Sequence, residues 1–259
     1  MALKIMVTSP LHQMGSSVVA AMIAQGVTYN NKTSTLLFNE KGSNLPNYLG
    51  IDDINDPTRS VMQIVKLIDN GARSDTDILD YTFKYATNAY MLNTASESID
   101  AKDSLQIINH VYKRTPTDIV VIDNSADIMD NISQQLIEES DTIFVVVQPS
   151  PKSAARLKDW LEYSNLKFKQ NVFVIVDFYN EVIFSIRDLA KYLGLPASRV
   201  CKLHYNPWIA KCCIKGQLTT VLPLAMDMDP RVVNLNNDIK EFNAVINSEL
   251  VFTARREPE

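Results

Sequence analysis

Short apolar runs alternate with amphipathic segments along most of the chain. Seven runs have the length and β-branched content of buried strands, at Lys4–Thr8, Thr35–Phe38, Ala89–Asn93, Asp118–Asp123, Ser140–Pro149, Val172–Val176 and Val200–Pro207. Helical spacing favours helices between and after them, at Ser16–Ala24, Pro57–Asp69, Ser104–Lys113, Ser153–Leu166, Ile186–Leu193 and Arg231–Leu250. The apolar residues of Ile78–Ala86 fit either the helical or the strand period. Strands that alternate with helices predict a three-layer α/β/α fold with a mostly parallel sheet, in a single domain over residues 1–259.

The last predicted helix is amphipathic, and its polar face decides between two interpretations. A helix that lies on a membrane is basic on its polar face. This one carries Asp238, Glu241 and Glu249, so we expect it to pack on the core.

The first predicted strand is followed by a loop and a helix, which is the order of a phosphate-binding loop. A working loop needs glycines, so that backbone N–H groups turn inward, and a lysine before a Ser/Thr. The segment Ser9–Gly15 has only one glycine, and Ser16 stands where the lysine is expected. Taken alone, this stretch is explained equally well by an ordinary strand–turn–helix.

Asp123 closes the most regular apolar run of the chain. Ligands of open α/β sheets bind outside the carboxyl ends of the strands, where such an aspartate lies. It is therefore a candidate ligand for magnesium, directly or through water. The alternative is an aspartate that caps the following turn.

The loop and its flanks resemble the MinD/ParA group of deviant phosphate-loop ATPases, whose pattern is roughly T-S-G-K-G-G-V-G-K-T-T-V-A-A-N-L-A. The matching positions are Thr8, Ser9, Gly15, Val19, Ala20, Ala21 and Ala24. Leu11 falls on the signature lysine of the family, Ser16 on the general phosphate lysine and Ser17 on the magnesium-binding Ser/Thr. The resemblance implies a phosphate-loop NTPase-like fold. It also implies a remnant nucleotide site at Gly15, Ser16, Ser17 and Asp123, with Ser17 and Asp123 as metal ligands.

A second stretch carries the same resemblance, which extends from Lys4 to about Gln217. The family motif G-N-L-x-x-x-L-G is kept, with a small shift, by Gly42, Asn44, Leu45, Leu49 and Gly50. The acidic residues that precede the motif in the family are replaced by Asn39 and Lys41. Asp177 lies where relatives often carry an asparagine that contacts adenine. These departures imply a degenerate member of the family.

The resemblance also sets the functional expectations. In style the chain is closest to the TadZ/CpaE pilus-assembly localisation proteins. It implies a homodimer with protein partners in a pilus, secretion or partition apparatus, acting as a non-hydrolysing scaffold or localisation factor. The alternative is a slow, magnesium-dependent ATPase that uses substitute residues. ATP and magnesium are the implied cofactors, bound weakly or not at all.

Composition limits the classes of partner and the cellular location that we expect. A net charge of −5 disfavours a general nucleic-acid surface, so DNA is not an expected partner. The basic cluster of Lys152, Arg156 and Lys158 is interpreted as a solvated face, with a partner or DNA contact as the alternative. The three cysteines lack the spacing of a disulfide framework or metal site, which favours reduced thiols in the cytoplasm. No apolar stretch is long enough to span a membrane, so we expect at most recruitment to a membrane-associated complex.

Overall fold

One sheet of eight strands forms the centre of the computed structural model, which describes residues 2–39, 44–52, 56–59, 61–71, 77–92, 107–111, 114–124, 131–164, 166, 169–180, 185–227 and 229–254. The strands are β1 (Leu3–Thr8), β2 (Thr35–Asn39), β3 (Phe83–Ala86), β4 (Ala89–Leu92), β5 (Ile119–Asn124), β6 (Thr142–Val147), β7 (Val172–Tyr179) and β8 (Val200–His204). Their order is β3-β4-β2-β5-β1-β6-β7-β8. Only β3 runs antiparallel to its neighbour, β4. The predicted mostly parallel sheet is confirmed, with β1 near its middle.

Helices cover both faces of the sheet. They are α1 (Ser16–Asn31), α2 (Leu45–Leu49), α3 (Val61–Asp69), α4 (Asp77–Asp80), a helical segment over residues 107–111 (α5), α6 (Asn131–Glu139), α7 (Pro151–Tyr163), α8 (Ile186–Leu193), α9 (Pro207–Ile214), α10 (Val221–Met226) and α11 (Val233–Ala254). Short 3-10 turns lie at Pro57–Arg59, Ala197–Arg199 and Leu218–Thr220.

Two buried clusters, one on each face of the sheet, make three layers. The first packs α3 to α8 against residues such as Val120, Val145 and Val174. The second packs α1, α2 and α9 to α11 against the alternate residues, among them Val121 and Ile175. Successive side chains of a strand point to opposite faces, so strands buried on both sides read as continuous apolar runs. This is why the sequence showed unbroken runs such as IVVI in β5.

α1 is buried along most of its length, which its small apolar residues make possible. Gly26 lies where α11 crosses, and a Cβ on it would lie 2.8 Å from Cγ2 of Ile239. The absence of a side chain at Gly26 therefore lets the two helices approach closely. The predicted helix Ser16–Ala24 is confirmed and continues to Asn31.

α11 packs on the core, as predicted, through Leu235, Ile239, Phe242 and Ile246. It also covers the open edge of β8. Asp238 accepts the backbone N–H of His204 at 2.9 Å, and Glu241 accepts that of Lys202. The outward N–H groups of this edge strand are thereby satisfied by side chains instead of another strand. Over the described residues, no helix is long and apolar enough to cross a membrane.

Candidate nucleotide site

The loop after β1 lies at the carboxyl end of the sheet, and the predicted site residues gather around it. Gly15 precedes α1 with a φ of +91°, a left-handed conformation that favours glycine. Ser16 is buried at the start of the helix and Ser17 is partly buried beside it. Asp123, fully buried in β5, pairs in register with Val7 of β1. The four residues implied by the resemblance are thus brought to one end of the sheet.

The loop itself carries no lysine or arginine between Ser9 and Ser17. Leu11 is partly buried, and His12 is exposed. Phosphate binding relies on cationic side chains together with inward N–H groups, so the main source of positive charge is missing here.

Two loop carbonyls accept hydrogen bonds from side chains. The hydroxyl of Ser9 donates to the Leu11 carbonyl at 2.7 Å, and the Gln148 amide donates to the Gln13 carbonyl at 3.3 Å. Gln13 has a left-handed φ of +62°. These contacts tie the loop to itself and to the residue that follows β6.

Asp177 packs against the loop from β7, and the sequence did not predict this contact. A Cβ on Gly15 would lie 2.0 Å from Oδ2 of Asp177, so only glycine fits beside this carboxyl group. Asp177 is 6% exposed, and burial raises its pKa to about 7, although the Phe178 N–H donates to Oδ1 at 2.9 Å and opposes the rise. An acidic group with little solvent contact therefore borders the loop.

The G-N-L-x-x-x-L-G stretch meets the segment Lys215–Gln217, which resembles the family motif N-R-G-x-P-L. Gly50 ends α2 with a φ of +72°, and a Cβ on it would lie 2.4 Å from the carbonyl oxygen of Gly216. Gly216 follows α9, with a φ of +64°. The G-N-L-x-x-x-L-G stretch and the segment Lys215–Gln217 thus pack backbone to backbone. Lys41 and Gly42 lie outside the described residues. Of the two residues that replace the acidic residues of the family, the structure therefore places only Asn39, which pairs with Asp123.

Comparison with known proteins shows which solved structures share this fold. No protein-family model matches the sequence, and no curated protein matches it. Among solved structures, a ParA family ATPase from Chlorobium tepidum aligns with a TM-score of 0.73 and 16% identity, over 95% of this chain and 99% of that one. The chain has the MinD/ParA fold. MinD in the MinC:MinD cell division complex of Aquifex aeolicus aligns with a TM-score of 0.70 and 16% identity, over 100% and 98% of the two chains.

A third MinD/ParA neighbour was solved with a nucleotide. The septum site-determining protein MinD of Pyrococcus horikoshii, complexed with Mg-ADP, aligns with a TM-score of 0.66 and 14% identity, over 93% of this chain and 94% of that one. The residues of the present chain fit such a ligand only in part. The hydroxyl of Ser17 and the carboxylate of Asp123 are oxygen donors of the kind that magnesium takes. The loop does not fit the phosphates, because it has no lysine or arginine between Ser9 and Ser17 and because Asp177 borders it.

Of the remaining candidates, Cys213 adjoins this site, because burial, and after it the neighbouring Cys212 and Asp177, raise the pKa of its thiol to about 11. The described residues contain no group of three or more His, Cys, Asp or Glu side chains that could hold a metal ion. Cys201, Cys212 and Cys213 are free thiols. Lys152 and Arg156 are exposed on α7, and Lys158 lies 5.0 Å from the ring centroid of Tyr192.

Proposed function

We propose that this protein is a degenerate MinD/ParA-like scaffold or localisation factor that does not hydrolyse ATP at a useful rate. The observation that carries the proposal is the buried Asp177 carboxyl group against Gly15, in a loop that has lost both lysines. The loop supplies hydroxyls where the chemistry needs positive charge, and an acid borders the place that phosphates would approach.

The free energies of the interactions that the loop lacks support weak nucleotide binding. A hydrogen bond to a charged group contributes about 1.5–3 kcal/mol, so the loss of the phosphate lysine alone weakens binding by about tenfold or more. In its ionised form, the Asp177 carboxylate beside Gly15 would add electrostatic repulsion against a phosphate charge. The two effects act in the same direction.

The absence of the signature lysine is expected to lower the rate of ATP hydrolysis. In the family this lysine acts across the dimer on the transferring phosphate, as an arginine finger does, and such a group accelerates the reaction by about 10³–10⁵. Leu11 at this position offers neither charge nor hydrogen bond. Hydrolysis near background is therefore expected even if nucleotide binds.

The partners proposed are a second copy of the chain and proteins of a pilus, secretion or partition apparatus. Among these the TadZ/CpaE proteins are the preferred analogy, since they share the G-N-L-x-x-x-L-G stretch and often have atypical phosphate loops. The fold supports this class of role, since one neighbour is part of a MinC:MinD cell division complex. The choice of apparatus rests on the sequence resemblance.

The second candidate function is a slow, magnesium-dependent ATPase. It is favoured by Ser17 and Asp123, which retain oxygen donors at the carboxyl end of the sheet. His12, exposed in the loop, and Lys41 are the side chains that would have to substitute for the lysines.

Phosphate release by the purified chain separates the two candidates. We expect wild-type release at background level, and no difference in an Asp123→Ala variant. Calorimetry with magnesium-ATP should give binding weaker than micromolar, and the Leu11→Lys, Ser16→Lys, Asp177→Asn triple variant should bind more tightly. Clear wild-type turnover that disappears in Asp123→Ala would overturn the scaffold proposal and establish the slow ATPase.

A further inference from the structure

Asp177 directs one of its two carboxyl oxygens at the start of α1. The Phe178 N–H donates to Oδ1 at 2.9 Å and holds the carboxyl group in one orientation. Oδ2 then lies against the backbone of Gly15, with no room for a Cβ between them. Among the described residues, no N–H or O–H group donates to Oδ2. A carboxyl group that is only 6% exposed therefore keeps one oxygen without a protein donor at the loop.

The helix end that this carboxyl group faces is of a kind that attracts anions. α1 has 16 residues, and its capping residue is Gly15, which has no side chain to accept from the first-turn N–H groups. The first turn also contains no acidic residue. The N-terminus of a helix carries partial positive charge and is a common site for phosphate. Asp177 is thus an acidic group beside a helix end that favours an anion.

Burial decides the protonation of Asp177. It raises the pKa to about 7, and the Phe178 N–H opposes the rise. An N–H that donated from the start of α1 would also lower the pKa, and none does among the described residues. At neutral pH the group is therefore divided between a carboxylate, which repels a phosphate, and a carboxylic acid, whose O–H can donate to one. Only the acid form suits an anion at this end of α1.

Few other titratable groups face Asp177 from the elements packed around it. The loop before α1 contributes His12, and the residue that follows β6 is the neutral Gln148. α9 contributes Cys213, and burial in the first place raises the pKa of its thiol to about 11, so that it stays uncharged at neutral pH. Tyr205 follows β8, and phenols titrate near pH 10. Of these groups, only the carboxyl group and the histidine belong to types that can change charge near neutral pH.

The charged groups of the neighbouring strands lie elsewhere. Lys202 and His204 of β8 contact the ring of Tyr179, which packs in the cluster on the sheet face opposite α1. Asp123 ends β5, which is three strand spacings, or about 14 Å, from β7. None of these groups contributes to the raised pKa of the carboxyl group at the loop.

We propose that the start of α1 binds a phosphate group together with a proton, which Asp177 takes up from solvent. The O–H of the protonated carboxyl group donates to a phosphate oxygen, and the helix end supplies the remaining attraction. Binding therefore weakens as the pH rises through neutrality. This inference rests on the proposed function, since it adds control by pH to the same weakened site. Leu11 offers no charge at any pH, so protonation strengthens binding and does not restore hydrolysis.

Sulfate tests the coupling, because its charge stays constant between pH 6 and pH 8 whereas that of phosphate changes. The amide of Gly15, one of seven glycines, reports binding at the loop in NMR spectra of the full chain. Sodium sulfate is titrated at both pH values at matched ionic strength, with sodium chloride as the reference. We expect a saturable Gly15 shift with an affinity about tenfold higher at pH 6, since a group with a pKa near 7 loses most of its proton over this range. A magnesium-ATP arm at pH 6 identifies the source of the phosphate group: tighter binding than sulfate indicates nucleotide, and equal binding the free anion.

Two variants separate Asp177 from the histidine of the loop. Asp177→Asn, which is neutral at every pH, should bind sulfate with affinities that agree within about twofold at pH 6 and pH 8, and more tightly than wild type at pH 8. His12→Asn should keep the tenfold difference, although histidine also titrates in this range. Loss of the pH dependence in His12→Asn, or a Gly15 shift at pH 6 no larger than that with chloride, would overturn the proposal. Wild type and His12→Asn are sufficient for this if Asp177→Asn does not fold.

Phosphate release decides the proposed function separately. Background release at both pH values, combined with no proton-coupled binding of sulfate, would remove this inference alone. Turnover that appears at pH 6 and disappears in Asp123→Ala would instead overturn the scaffold proposal, whatever the result with sulfate.

Discussion

A buried carboxyl group packed on a loop glycine makes the stability of the fold depend on pH. Burial raises the pKa of Asp177 from 3.8 to about 7 in the folded state. Between these values the folded chain binds more protons than the unfolded chain, so stability falls as the pH rises. Asp177→Asn removes this cost. Its gain in Tm should be larger at pH 8 than at pH 5, by about 3–8 °C.

Differential scanning fluorimetry at the two pH values measures the effect. Asp159→Asn, which changes an exposed aspartate on α7, is the matched control and should shift Tm equally at both pH values. A gain from Asp177→Asn that is the same at pH 5 and pH 8 would show that the carboxyl group is not buried against the loop.

At the residue scale, the sequence predicted what is missing from the site better than what replaces it. The loss of lysine at Leu11 and Ser16 can be recognised in the sequence, because the phosphate-loop motif is one contiguous stretch. The contact of Asp177 with Gly15 depends on how the end of β7 lies against the start of α1, and no local pattern encodes that. Asp238 was noted in the sequence only as an acid on the last helix, and its contact with His204 was not predicted, for the same reason.

At the scale of elements, Gly50 and Gly71 form a natural pair of test positions. Both have a φ of +72°, but a Cβ on Gly50 would lie 2.4 Å from the Gly216 carbonyl oxygen, whereas a Cβ on Gly71 meets nothing within 4 Å. Gly71→Ala should cost about 1 kcal/mol for the left-handed backbone alone. Gly50→Ala should cost at least about 1–3 kcal/mol more, because α2 and the segment after α9 must separate.

Urea unfolding of the two variants compares these costs directly. The Gly71→Ala variant supplies the backbone term, so the difference between the variants isolates the contact between the two motif stretches. Equal destabilisation would mean that the motifs do not pack against each other.

The seven predicted strands are confirmed because buried parallel strands are marked by uninterrupted apolar runs. The bounds Ile186–Leu193 of α8 are confirmed too, since Ser185 caps its start and Gly194 ends it in a left-handed conformation. Ile78–Ala86, which fitted either period, contains most of α4 and all of β3, two elements too short to establish a period. α6 was not predicted, and of Ser104–Lys113 the structure describes only residues 107–111, which are helical.

At the scale of the whole molecule, the fold is kept although the loop lacks both lysines of the family pattern. At 16% identity the chain aligns over 95% of its length with a ParA family ATPase, although no family model matches it. The positions that hold the sheet together are apolar and interchangeable, whereas the loop chemistry depends on single lysines. If partners bind the surface of the chain and do not depend on ATP turnover, evolution is expected to preserve the fold without preserving the lysines of the loop.

Dimerisation without nucleotide is the whole-molecule consequence of this proposal. Phe178 and Tyr205 lie at the carboxyl ends of β7 and β8, with their ring centroids 5.8 Å apart, and are 42% and 58% exposed. Phe178 has a left-handed φ of +54°, which a non-glycine residue adopts only at a cost in energy. We propose that this aromatic pair forms part of a homodimer contact on the nucleotide face, which apolar contacts would hold together in place of a bridging ATP.

Light scattering with and without magnesium-ATP should therefore give a dimer in both conditions. The double variant Phe178→Asn, Tyr205→Ser, in which asparagine tolerates the left-handed backbone, should weaken association by about tenfold to a hundredfold, since burial of one large side chain contributes about 1.5–3 kcal/mol. Tyr163→Ser on α7, which removes a 72% exposed aromatic away from this edge, is the control and should remain dimeric. A wild-type monomer at high concentration would exclude the dimer. A dimer formed only with ATP would instead require a competent nucleotide site, because the ligand would then supply the contact that the aromatic pair is proposed to make.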